Sequence, residues 1–112
     1  MSYVQHVGKT NYYVYILSSL NGVIYVGFTD CLVKRIKQHK NGLYKNAFTK
    51  KYNVHKLVYW EHYFLRQDAL NREQQIKSYN RNKKINLIEK DNKHWNDLYP
   101  FIIELSKRRP IF

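Results

Sequence analysis

Apolar and polar positions divide the chain into a short series of elements. Tyr12 to Leu17 (YYVYIL) is an aromatic and β-branched run typical of a buried strand. Ser18-Ser19-Leu20-Asn21-Gly22 follows, with Asn-Gly as a hairpin-turn signal, and Val23 to Phe28 (VIYVGF) is the return strand. Gly27 inside that strand predicts a bulge or a close approach by another backbone or a ligand. Asp30 is placed to cap a helix running to Lys40, with Leu32 and Ile36 as its apolar stripe and Asn41-Gly42 closing it. Gly42 to His55 is polar and basic and predicts an exposed loop, after which Lys56 to Trp60 (KLVYW) is a third strand ending at Glu61. A second helix is predicted over Arg66 to Tyr79, with Ala69, Leu70 and Ile76 inward, and a third from Asn82 through Glu89. Trp95, Leu98, Phe101 and Ile102 are apolar enough to dock the tail on the core, and the tail ends in the basic Lys107-Arg108-Arg109. Strand, strand, helix, strand, helix, helix describes an α/β domain, a small three-stranded antiparallel sheet flanked by helices.

At 112 residues, 44% of them hydrophobic, the chain has the size and apolar content for one core, and it predicts a single domain rather than a disordered basic tail. Twenty Lys and Arg against eight Asp and Glu leave a formal charge of +12, which points to a polyanion, most often nucleic acid. Eleven tyrosines add rings able to stack on bases. A merely basic protein such as a ribosomal one, or one bound to an anionic membrane surface, has the same composition. No apolar run approaches the roughly 18 residues of a membrane span, and Met1 to Thr10 lacks a signal peptide's apolar stretch. The lone Cys31 excludes an internal disulfide and a cysteine-built zinc site, so a reducing, cytoplasmic setting is expected.

Few carboxylates are available for chemistry. Asp30 and Asp68 fall at expected helix starts, where capping is the ordinary role; Asp91, Asp97 and Glu104 lie among polar residues and read as solvated charges; Glu89 ends a helix on an exposed edge. Glu73 stands apart, because it lies three residues from both Leu70 and Ile76, beside an apolar stripe, where a carboxylate is costly without a cation or metal. Its ordinary alternative is a helical ion pair with Lys77. Arg35 and His39, four apart, share one helix edge; Arg35 is placed either to grip a phosphate or to lay its stem on the core with its head in water. No HExxH, GxSxG, P-loop or GxGxxG pattern occurs, which removes the usual supports for zinc hydrolysis, acyl transfer and nucleoside-triphosphate chemistry.

Tyr13-Val14-Tyr15, Tyr25-Val26-Gly27, Arg35, His39 and Glu73, in that order, resemble the GIY-YIG nuclease superfamily. Within it, Ala69 to Glu89 and the closing DNKHWNDL resemble the small standalone bacterial proteins related to the excinuclease nuclease domain. The likeness covers a core of about 12–98 and leaves a basic C-terminal tail, 99–112. Tyr13 stands where the first motif has Gly, and Val14 and Val26 where the motifs have Ile. Asn80, Asn82 and Asn86 are all candidates for the family's asparagine after the glutamate.

The resemblance implies a metal-dependent DNA endonuclease acting in DNA repair or processing. Glu73 would hold Mg²⁺ (or Mn²⁺) and Arg35 would neutralise charge on the phosphoryl oxygens. Tyr15 would help deprotonate the attacking water, Tyr25 would orient water or phosphate, and His39 would be a second proton handler or phosphate contact. For Tyr15 and Tyr25 the other reading is cross-strand aromatic packing. Lys34, Lys37, Lys40, Lys77, Arg81, Lys83 and Lys84 become candidate backbone contacts, which position DNA without reading sequence. With no further DNA-reading module, recognition is expected from DNA structure or from a partner protein. The rival expectation is a nucleic-acid-binding protein of the same fold that turns over nothing.

Overall fold

The computed structural model describes residues 11–42 and 47–108. Strands β1 (Tyr12–Ser18), β2 (Ile24–Thr29) and β3 (Lys56–Tyr63) form one antiparallel sheet in the order β2-β1-β3. Among the described residues the helices are α1 (Leu32–Lys40), α2 (Ala47–Tyr52), α3 (Arg66–Ser78), α4 (Arg81–Glu89) and α5 (Tyr99–Arg108). None of them is long and apolar enough to cross a membrane.

β1 reads as a continuous apolar run because it is the central strand and both its faces are covered. Tyr13, Tyr15 and Leu17 point to one face, where Leu32 and Ile36 of α1 and Ile102 of α5 pack on them. Val14 and Ile16 point to the other, against Ala69 and Ile76 of α3 and Ile88 of α4. The β1–β2 register runs without interruption from Tyr13↔Thr29 to Ser18↔Ile24, so Gly27 marks no bulge. The irregularity falls instead between β1 and β3, at Ile16/Leu17.

Local capping differs from the sequence expectation at three helices. Thr29, not Asp30, organises the entry to α1: its Oγ1 accepts from the Cys31 amide (3.1 Å), and Cys31 is the N-cap. Asp68 lies inside the first turn of α3, beyond the extended N-cap Leu65, where its charge still complements the helix dipole. Asn80 caps α4 by accepting from the Lys83 amide (2.8 Å), two residues ahead of the expected start at Asn82. Part of the expected loop from Gly42 to His55 is helical, as α2; residues 43–46 of that loop, like Met1 to Thr10 and Arg109, lie outside the described residues. The tail is helical too, and a helix presents adjacent residues about 100° apart, so Ile102 is buried while Phe101 faces water.

Asp97 also departs from expectation. Far from being a solvated charge, it accepts from the amides of Leu57 (3.1 Å) and Tyr99 (3.0 Å) and pairs with Lys40. Lys40, whose ammonium also lies over the Tyr99 ring, thus ties α1 to the start of α5 and is not held ready for phosphate.

A second polar network anchors α3. Tyr59, Glu61 and Tyr63 alternate along β3 and share one face. Glu61 accepts from Nε and Nη2 of Arg72 (2.9 Å each), from the Tyr63 hydroxyl (2.6 Å) and from the Tyr59 hydroxyl. Burial alone would raise the Glu61 pKa, but these donors outweigh it and hold the carboxyl below its ordinary 4.5. Ala69 and Ile76 are the buried stripe of α3, and positions 72 and 73 flank it on opposite sides. Fixing Arg72 on β3 therefore turns Glu73 toward the β2 side of the sheet. Glu61→Ala strands a partly buried guanidinium and is expected to destabilise the fold by about 2 kcal/mol in urea unfolding; a change under about 0.5 kcal/mol would contradict the anchoring role.

Candidate active site

Tyr15 on β1 lies opposite Gly27 on β2. A Cβ at Gly27 would stand 2.4 Å from Tyr15 Cζ and 2.5 Å from its hydroxyl, so the missing side chain is what lets the phenol lie across β2. The close approach foreseen at Gly27 is thus a ring, not a backbone or ligand. Beyond the glycine, the Tyr15 hydroxyl reaches Nε2 of His39 on the last turn of α1 (3.2 Å). Tyr25, two residues before Gly27 on the same face, closes the group: its ring centroid is 5.7 Å from His39 and 6.4 Å from Tyr15. The three differ in depth. Tyr15 is wholly buried, His39 is 7% exposed, and Tyr25 is half-buried at the surface.

Arg35 sits one turn before His39 and donates from Nη1 to the Phe28 carbonyl (3.4 Å). Burial first, and the Arg35 charge second, lower the His39 pKa to about 4, so the imidazole is neutral at pH 7. Above about pH 6.5 the ring is neutral folded or unfolded; between 6.5 and about 4 only the unfolded chain takes the proton, so stability falls as pH drops through that window. His39→Gln is expected to flatten this part of the stability–pH curve, which in the wild type spans on the order of 3 kcal/mol. A wild-type curve already flat from pH 7 to 4.5 would contradict it.

Glu73 approaches from α3, on the opposite face. Its side chain is 13% exposed and pairs with Lys77 at 3.1 Å, so the ordinary helical ion pair is present. Lys77 also lines a cleft of about 300 Å³ with Ile24, Tyr25, Val26, Phe48 and Lys84. Tyr25 belongs to one face of β2 while Ile24 and Val26 belong to the other, so this cleft wraps around the open edge of the sheet. Tyr15, Tyr25 and His39 are therefore in contact, Arg35 joins them through its charge, and Lys77, the partner of Glu73, lines the same cleft as Tyr25.

Among the described residues, no three His, Cys, Asp or Glu converge as a closed metal site. A lone carboxylate beside an open cleft suits a hard cation that keeps several waters and takes phosphate oxygens, and does not suit a structural zinc. Of the other basic candidates, Lys34 and Lys37 are exposed on α1, Lys84 lines the cleft, Lys83 lies over the Tyr79 ring, and Arg81 donates to the Gly22 carbonyl (2.8 Å). Sequence reading missed Phe48, which sits in the cleft wall, and Arg72. The spacing Phe48–Tyr52 on one helical edge and the alternation Tyr59–Glu61–Tyr63 were the available signals.

Comparison with known proteins identifies the family. The family model described as the GIY-YIG catalytic domain matches residues 11–86, which include Tyr15, Tyr25, Arg35, His39 and Glu73. A UPF0213 protein of Clostridium perfringens is 42% identical over 76 residues, covering 68% of this chain and 81% of that protein. One from Staphylococcus saprophyticus is 38% identical over 77 residues, covering 69% and 93%. The solution NMR structure of a UPF0213 protein from Bacillus halodurans superposes with a TM-score of 0.50 at 28% identity, covering 78% of this chain and 92% of that one. The chain, with its three-stranded antiparallel sheet flanked by helices, belongs to the GIY-YIG nuclease family.

Proposed function

We propose that the protein is a metal-dependent endonuclease that hydrolyses phosphodiester bonds in DNA, in repair or processing. The observation that carries this reading is the cleft at the β2 edge. There half-buried Tyr25 lines the cleft with Lys77, the partner of Glu73, and its ring packs beside His39 and Tyr15.

Glu73 is the residue that would hold Mg²⁺ or Mn²⁺, and the chemistry such a cation would supply there is Lewis-acid polarisation of the scissile phosphate and neutralisation of charge on the leaving oxygen. Arg35 sets its planar donors against the charge that grows on the phosphoryl oxygens, its head already placed by the Phe28 carbonyl. The burial of Tyr15 changes the roles implied by the family resemblance. Tyr25 orients the attacking water, and Tyr15 acts from behind through His39. A neutral His39 can take up a proton, and a phosphate anion docked beside Arg35 offsets the charge that depresses the histidine, which raises its basicity as substrate arrives. Lys34, Lys37, Lys83 and Lys84 hold the flanking backbone without reading bases, so substrate choice rests on DNA structure or on a partner protein.

Arg35→Ala tests this assignment on supercoiled plasmid with Mg²⁺. Loss of one preplaced donor should slow cleavage by roughly 10²- to 10³-fold, with binding affected far less. Cleavage at the wild-type rate would overturn the role of Arg35 and, with it, the site.

A further inference from the structure

The cleft at the β2 edge extends beyond the groups that the proposed hydrolysis uses. From Tyr25, rings continue outward: Tyr25 to Phe48 at 6.1 Å with planes 31° apart, then Phe48 to Tyr52 at 4.9 Å. Phe48 and Tyr52 lie four apart on α2, and each is 42% exposed. Cations surround this ladder. Lys77 and Lys84 stand in the same cleft wall, Lys51 lies over the Tyr52 ring, and among the described residues no carboxylate lines the cleft.

Phosphates need the lysines, not the rings. A continuous duplex offers this surface its backbone and groove edges but no open base face, because its bases are already stacked on neighbours. Partly exposed rings set among lysines match a nucleotide whose base is unstacked and whose phosphate is close by. We propose that Phe48 and Tyr52 form a stacking site for the base of an unpaired nucleotide next to the phosphate at Tyr25. The preferred substrate is then DNA with an unpaired stretch (a single strand, flap or gap) over continuous duplex. This deepens the nuclease reading and rests on it for the place of the scissile phosphate, but the stacking itself requires no cleavage.

The test is a binding measurement on the full chain in EDTA, with oligonucleotides carrying one 2-aminopurine in a single strand, a flap or a closed duplex hairpin. Wild type should bind the single strand and flap more tightly than the hairpin and quench 2-aminopurine only in the unpaired positions. Phe48→Leu, which keeps apolar volume on an exposed helix but removes the ring, should weaken single-strand binding about ten-fold and leave hairpin binding within two-fold; Phe48→Tyr should restore it. Tyr52→Leu should give a smaller loss of the same kind. Equal affinity for strand and hairpin, or equal losses on both in Phe48→Leu, would overturn the proposal and leave the rings to another partner. The two readings fail separately. Selective quenching without cleavage on any substrate with Mg²⁺ keeps the stacking site and removes the nuclease, whereas Arg35-dependent cleavage with no ring dependence does the reverse.

Discussion

Glu73→Gln should reduce cleavage to background while DNA affinity holds or rises. The substitution keeps the shape of the side chain and removes the charge that would bind the cation, along with its repulsion of phosphate. The fold has little to lose. The Glu73–Lys77 pair is a helical i to i+4 contact with the Lys77 side chain about half exposed, and such pairs contribute only about 0.3–0.5 kcal/mol. An inactive variant with a wild-type melting curve therefore reports chemistry and not folding. Persistent cutting by the purified variant would remove Glu73 from the site.

Gly27→Ala should cost both stability and activity, for one steric reason. The new Cβ would stand 2.4 Å from the Tyr15 ring, which is wholly buried. Forcing one extra methyl into such a position costs about 1–3 kcal/mol, which in a domain of this size lowers Tm by roughly 5–15 °C. Displacing the ring also breaks its contact with His39, so cleavage falls in the fraction that remains folded. Tyr15→Leu added to Gly27→Ala should recover part of the stability and none of the activity. An unchanged Tm in Gly27→Ala would show that the phenol does not lie over β2.

The elements of this fold were largely legible where an element buries a strongly patterned side. The run YYVYIL and the Asn-Gly turn announced β1 and the hairpin, and Leu32, Ile36, Ala69 and Ile76 are fully buried as the helical spacing required, whereas Leu70, expected inward with them, is half-buried. What escaped were features set by long-range partners. Asp97 reads as a solvated charge until Leu57 and Lys40, 40 and 57 residues away, are brought to it. Asp30 looks like a cap until the hydroxyl of Thr29 takes over that turn. α2 is short and basic, and its only helical signal is the single i to i+4 pair Phe48–Tyr52, too brief a pattern to set it apart from loop. The candidate site was legible as a set of residue types through the family resemblance. Its depth was not: only packing shows that Tyr15 is inside, that Tyr25 is half-buried in the cleft wall, and that Phe48 extends the cleft.

The measurement that bears most directly on the central claim is cleavage by the purified wild-type chain of supercoiled plasmid and of flapped oligonucleotides, run in Mg²⁺ and in EDTA. Cutting in Mg²⁺ that stops in EDTA, while DNA binding persists in both, is the predicted result. Tight, salt-sensitive binding with no cutting of any substrate in Mg²⁺ or Mn²⁺ would contradict it, and would make this chain a DNA-holding member of a nuclease family.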